Sequence, residues 1–189
     1  MADPDPEQPT ERNDPPAPNR RRRATAREAK ALGHPLRLRI LRLCLIADRT
    51  NRELADRLDT NPGTVLHHVR TLVDVGFLTA EPVRQGASGA LEKPYRATNA
   101  TWWLDDPLRD MAAEERSSPL DVFTSELGAA DPDTVQILGR FALHLNDEER
   151  HEFNRRLLAV VDEYVVSDHE RRDRPLYGGG LILHGISED

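Results

Sequence analysis

Gly63, Thr64, His67 and Arg70 follow one another at spacings of one, three and three residues, so on a helix they share one face. Together they offer a bare backbone, a hydroxyl, an imidazole and a guanidinium. These groups reach base edges and phosphates when a helix lies in a DNA major groove. Asn61 ahead of them is a good N-cap, and Pro62 falls at the first helical position, where its missing N–H costs nothing. Leu66 lies at the margin of the same face. The first turn of such a helix also directs its N–H groups toward phosphate.

Positioning that face takes a second helix and a turn. Val65, Val69, Leu72 and Val73 recur at i, i+4, i+7 and i+8, a stripe to bury, and Gly76 suits the left-handed residue that ends the helix. In front, Thr50 or Asn51 can cap a helix over 51–59 that buries Leu54, Ala55 and Leu58, and Asp59-Thr60-Asn61 supplies the turn. Residues 77–80 read as a short strand and 95–98 as its return, with Arg84, Lys93 and Arg96 on or near the hairpin, within reach of phosphate or the minor groove. His68, beside the buried stripe, is expected to serve structure or face a phosphate. Helix, turn, helix and hairpin is the order of a winged helix.

Gly33-His34-Pro35-Leu36-Arg37-Leu38-Arg39-Ile40-Leu41, Glu53-Leu54-Ala55, Gly63-Thr64-Val65-Leu66-His67-His68-Val69, Leu72, Gly76-Phe77-Leu78 and Tyr95-Arg96-Ala97-Thr98 together resemble the winged-helix transcriptional regulators of the ArsR type. The resemblance spans about residues 28–100. It implies a homodimer that sets two recognition helices in successive major grooves, usually as a repressor released by a signal. It puts Asn61, Gly63, Thr64, Leu66, His67 and Arg70 on the DNA side. Leu66 stands where the family usually carries serine, and an apolar side chain there can meet a thymine methyl.

The chain carries a formal charge of −7, which taken whole argues against a nucleic-acid surface. Its distribution reverses the argument. Residues 1–19 hold one basic and five acidic groups (−4), residues 20–97 hold 16 and eight (+8), and residues 98–189 hold nine and 20 (−11). The positive field thus coincides with the region that would attract a polyanion. Residues 1–19, with six prolines and almost nothing large and apolar, are expected to be disordered. Arg20, Arg21, Arg22 and Arg23 follow as a possible flexible basic arm along a phosphate backbone or in the minor groove, the plain alternative being a solvated charge run.

Residues 24–32 read as a helix, and Pro35 opens another to about Ala47 whose apolar face is broad; Arg37, Arg39 and Arg42 are expected to point away from it. Trp102 and Trp103 are the only tryptophans. One can pack on the winged domain while the other closes an interdomain or intersubunit surface, a core role for both being the alternative. Residues 108–116 and a helix opening at Ser118-Pro119 follow. Residues 136–145 alternate apolar and polar as a strand does, Asn146 with Glu149 forms a capping box for a helix to about Val166, and 177–186 again suits a strand. The fold class expected is α+β, a winged helix-turn-helix domain with a C-terminal helical and small strand-helix-strand extension. Its parts are 1–23, an acidic, proline-rich tail ending in the arm; 24–104, the DNA-binding domain; 105–130, a helical linker or dimerisation segment; and 131–189, a dimerisation or effector region.

Other chemistries find less support. No phosphate-loop glycine pattern, Gly-x-Ser-x-Gly elbow or His-Glu-x-x-His occurs, and Gly178-Gly179-Gly180 precedes no helix, so catalysis is not expected. The helix over 51–59 has no cysteine, which removes the soft-metal ligand set that the resemblance brings to mind. His151-Glu152 and Asp168-His169-Glu170 read as solvated charge rather than metal ligands. No metal and no cofactor is expected. Cys44, the sole cysteine, sits in an apolar run and reads as inert. A sole cysteine permits no intrachain disulfide, which suits the expected cytoplasmic location, and no apolar stretch approaches a bilayer span, so no membrane partner is expected. The partners expected are double-stranded DNA, a second copy of the chain, and a small-molecule effector in a cleft near Trp102-Trp103. A winged helix used purely to bind protein is the alternative.

Overall fold

The structure, a computed structural model, describes residues 21–86, 89–105 and 113–186, of which 113–118 as backbone only. The tail over 1–19, Arg20 and the helical expectation at 108–112 lie outside the described residues.

Four helices build the domain. α1 (Ala26–Leu32) opens on a capping box in which Thr25 and Glu28 satisfy each other's orphan groups. α2 (Pro35–Ile46) starts at a proline behind His34, whose Nδ1 accepts the Leu36 N–H. α3 (Asn51–Leu58) has a second capping box, Thr50 with Glu53. α4 (Pro62–Asp74) follows a turn in which Asp59 takes the left-handed conformation, φ 47°, one that short polar side chains tolerate. Gly76 does the same at φ 76° after α4, as its type demands.

A three-stranded antiparallel sheet closes the domain, with β6 (Pro94–Ala97) between β2 (Arg49–Thr50) and β3 (Leu78–Ala80). The β3–β6 register pairs Leu78 with Ala97 and Ala80 with Tyr95. The hairpin tip is a separate ladder, β4 (Arg84–Gln85) with β5 (Leu91–Glu92). Ile40, Leu54, Val65, Val69 and Leu72 are wholly buried, and Phe77 and Leu78 nearly so, in one core shared by α1–α4 and the sheet. Cys44 belongs to it, and burial pushes its thiol up to about 12, in keeping with an inert side chain.

β1 (Arg22–Arg23) pairs in parallel with β7 (Leu104–Asp105), which lays these two arginines along the domain. Arg21 stacks over Trp102, donates to the Trp102 carbonyl at 2.6 Å and to Asp162 at 2.7 Å, while Arg22 holds Glu28 through both nitrogens. Burial raises the Glu28 carboxyl, but the bonds from Arg22 and Thr25 outweigh it and hold it near 2. The cause is local: these guanidiniums have carboxylates and an indole face within reach, and such pairing competes with solvent.

Beyond the wing, a 3-10 turn (Ala100–Trp103) leads to β7. α5 (Ala113–Gly128) runs through Pro119 rather than starting there, lies against α2 and pairs Glu126 with Arg42. α6 (Asp147–Val166) carries the expected Asn146–Glu149 capping box. No residue of α6 is buried. The expected strands at 136–145 and 177–186 are absent: the structure assigns neither segment to a sheet. Alternation marks a face to be covered, and nothing within the described chain pairs with either segment. Among the described residues no helix is long and apolar enough to cross a membrane.

Candidate nucleic-acid interface

The sharpest division of faces lies on α4. Val65, Val69 and Leu72 are fully buried beneath it, whereas Asn61, Gly63, Thr64, His67 and Arg70 are exposed and Leu66 half-buried at the edge. Asn61 Oδ1 accepts the Gly63 N–H at 2.8 Å, and the Asn51 amide donates to the Pro62 carbonyl at 3.0 Å, tying the start of α3 to the start of α4. A Cβ at Gly63 would sit 3.1 Å from that cap oxygen. Glycine therefore keeps the cap undistorted and the first turn bare, at the usual helical cost of about 1 kcal/mol. Among the described residues the Arg70 guanidinium enters no ion pair or hydrogen bond.

The other sequence-selected cations are less available. Arg84 makes long contacts to Glu53 at 3.4 Å and Glu92 at 3.7 Å and stays half-exposed. Such exposed pairs add little and exchange readily. Lys93 is exposed, its ammonium 6.0 Å from the Tyr95 ring centroid. Arg96 is held at the base of the wing, with Nε and Nη2 on the Asp48 carboxylate at 2.7 and 2.5 Å and Glu81 at 3.1 Å. Its hydrogen bonds to Asp48 raise its already high pKa and fix the guanidinium at the base of the wing.

The back of α4 carries a cluster that sequence reasoning only half found. Arg37, expected to point away from the apolar face of α2, is buried. Its Nε donates to the Ala31 carbonyl at 2.6 Å and its Nη2 to the Lys30 carbonyl, so it caps α1 from within α2. Its Nη1 lies 3.5 Å from His68 Nδ1, and the His68 ring stands 4.4 Å from that of His34. Residues 65, 68, 69 and 72 all lie on one helical stripe, the signal that His68 turns inward.

Burial first, then the neighbouring His34 and Arg37, push the His68 imidazole down to about 4. A folded pKa below the ordinary 6.5 means that the unfolded chain takes up a proton first as pH falls. The stabilisation is complete above about pH 6.5 and is lost between there and about pH 4. Thermal melts by circular dichroism should show Tm falling on the order of 5–10 °C further between pH 7 and 4.5 in the native chain than in His68→Gln. Parallel slopes would assign that acid sensitivity to other groups.

Trp102 Nε1 donates to Asp162 at 2.7 Å, and Trp103 lines a cleft of about 210 Å³ with Thr98, Asn99, Val165, Val166 and His169. That volume is below the roughly 300–1,000 Å³ of sites for drug-sized ligands. Among the described residues no group of three or more His, Cys, Asp or Glu could hold a metal ion.

Two helices joined by a tight turn, the second with a polar, exposed start, and a hairpin wing behind them define a winged helix-turn-helix protein. The family model described as a helix-turn-helix domain matches residues 32–81, from the last residue of α1 to the residue after β3. That domain is consistent with the ArsR-type resemblance and supports a DNA-binding regulatory role in general. No curated protein matches the chain.

Proposed function

We propose that this chain is a sequence-specific, double-stranded DNA-binding transcriptional regulator, acting as a homodimeric repressor. The observation that carries the reading is the start of α4, where Thr64, His67 and Arg70 stand exposed on a helix whose opposite face is wholly buried. A helix seated that rigidly can present side chains to base edges at fixed register, and its capped first turn faces phosphate. Asn61, Gly63, Thr64, Leu66, His67 and Arg70 form the reading surface. Arg84 and Lys93 add phosphate contacts from the wing, while Arg21, Arg22 and Arg96 hold the domain together.

A dimer would set two such helices about 34 Å apart on one side of a duplex, so the operator should be an inverted repeat with half-sites centred roughly one turn apart. Selection of bound fragments from a random duplex pool tests this directly. With six to ten phosphate contacts in the dimer, affinity should fall about 10³- to 10⁵-fold between 50 and 200 mM salt. A protein that ignores duplexes at low salt would instead be a winged module for binding protein, a reading that the uncovered apolar side chains of the C-terminal region favour.

A further inference from the structure

Residues 135–145 and 176–186 are unlike anything else in the chain. The second segment contains no Asp, Glu, Lys or Arg, and the first only Arg140, inside a region whose net charge is −11 over 98–189. Their apolar side chains stand in solvent, Ile137 at 90%, Leu138 at 86% and Ile186 at 73% exposure. Among the described residues, neither 136–145 nor 176–186 makes a backbone hydrogen bond to another segment. Almost uncharged and alternating in sequence as a strand does, they leave unpaired backbone of the kind that folded proteins protect.

Each segment is already laid on a helix at one point. Phe141 meets Phe153 of α6 with ring centroids 5.8 Å apart, and a Cβ on Gly180 would touch the Phe123 ring of α5 at 3.4 Å. α6 itself is charge-compensated along its polar side, Glu152 with Arg155 and Arg156 and Asp147 with Arg150, while Leu157, Val160 and Tyr164 remain uncovered. A 20-residue helix with nothing buried draws little stability from its own chain. Patches of this extent on a monomer mark an interface.

We propose that the two segments pair with the same segments of a second copy, forming a sheet across a two-fold axis that covers the apolar side of α6. The occupant follows from the charges. An acidic surface repels nucleic acid and anionic lipid, and a basic partner would engage the carboxylates rather than two nearly neutral strips. Uncharged alternating strips are complementary to themselves, and a two-fold interface matches a surface to its own copy. The inference rests on the dimer of the proposed function and specifies where that dimer is sealed.

The test uses the full chain. Because Cys44 is buried at 1% exposure, cysteines placed singly along 136–145 and 179–186 report alone. Mild oxidation should give disulfide-linked dimers only at the one or two positions of each segment nearest the two-fold axis, where a residue meets its own counterpart, and none in the native chain. In sedimentation equilibrium, the doubly substituted Ile137→Lys, Ile182→Lys protein should self-associate about 100-fold more weakly than the native chain, because a lysine buried unpaired is costly. Its helical circular dichroism signal and a cooperative thermal melt of the winged domain check that it folds. A native chain that is monomeric at about 100 µM, or a dimer untouched by the lysines with no cross-link at any position, would overturn the proposal. A native dimer that cross-links as expected but binds no duplex would overturn the DNA-binding reading alone.

Discussion

Replacing Arg70 with alanine is expected to weaken binding to the selected operator by about 1–3 kcal/mol, roughly 5- to 150-fold in Kd, and to relax the preference at one base pair per half-site. Arg70 is exposed on α4, eight residues beyond Pro62, with no partner of its own among the described residues. A guanidinium so placed can form a bidentate pair with a guanine, whose loss leaves two acceptors unmatched. Fluorescence anisotropy on the operator and on single-base variants separates the two ways this can turn out. Equal loss on every sequence, with a shallower salt slope, would make Arg70 a phosphate contact. The fold should not suffer, since surface substitutions away from packed features usually stay within about 0.5 kcal/mol.

Phe77→Ala should have the largest effect on stability, about 3–5 kcal/mol, or on the order of 15–30 °C in Tm for a domain of this size. The Phe77 side chain is 1% exposed, the bulkiest of the fully buried side chains. Its N–H donates to the Leu72 carbonyl at 2.9 Å and its carbonyl accepts the Thr98 N–H at 3.1 Å, so it sits where α4 hands over to the sheet. Truncation leaves a cavity between α4 and β3 that the turn at Gly76 cannot close, because both backbone bonds hold the corner open. Val83→Ala, on a half-exposed wing residue, is the control and should shift Tm by no more than a few degrees. Since domains are stable by only about 5–15 kcal/mol, the Phe77 variant should be part-unfolded at 37 °C and bind DNA poorly for that reason alone.

Much of this architecture is legible in local signals of the sequence. Asn61-Pro62 at the start of α4, Gly76 at its end and Asn146 with Glu149 at α6 are fixed by short-range chemistry, and each stands where its residue types imply. What escaped was decided by distant neighbours. β2 is two residues long and exists because Arg49 and Thr50 meet Tyr95 and Pro94. Arg37 reads as a surface cation until the carbonyls at the end of α1 arrive beside it. The charge of +8 over 20–97 overstates the field available to a polyanion, because Arg21 and Arg42 are engaged by Asp162 and Glu126, carboxylates that lie outside that stretch. The alternation at 136–145 and 177–186 suits strands, yet neither segment joins a sheet, since a pattern records that a face must be covered and not by what.

The Asp162 carboxylate receives Arg21 from ahead of α1 and the indole of Trp102 from beyond the wing. One oxygen on the distal helix thereby grips both ends of the DNA-binding head. If that helix slides or rolls, entry and exit of the head are let go together, so the far end of the molecule is mechanically geared to the part that would touch DNA.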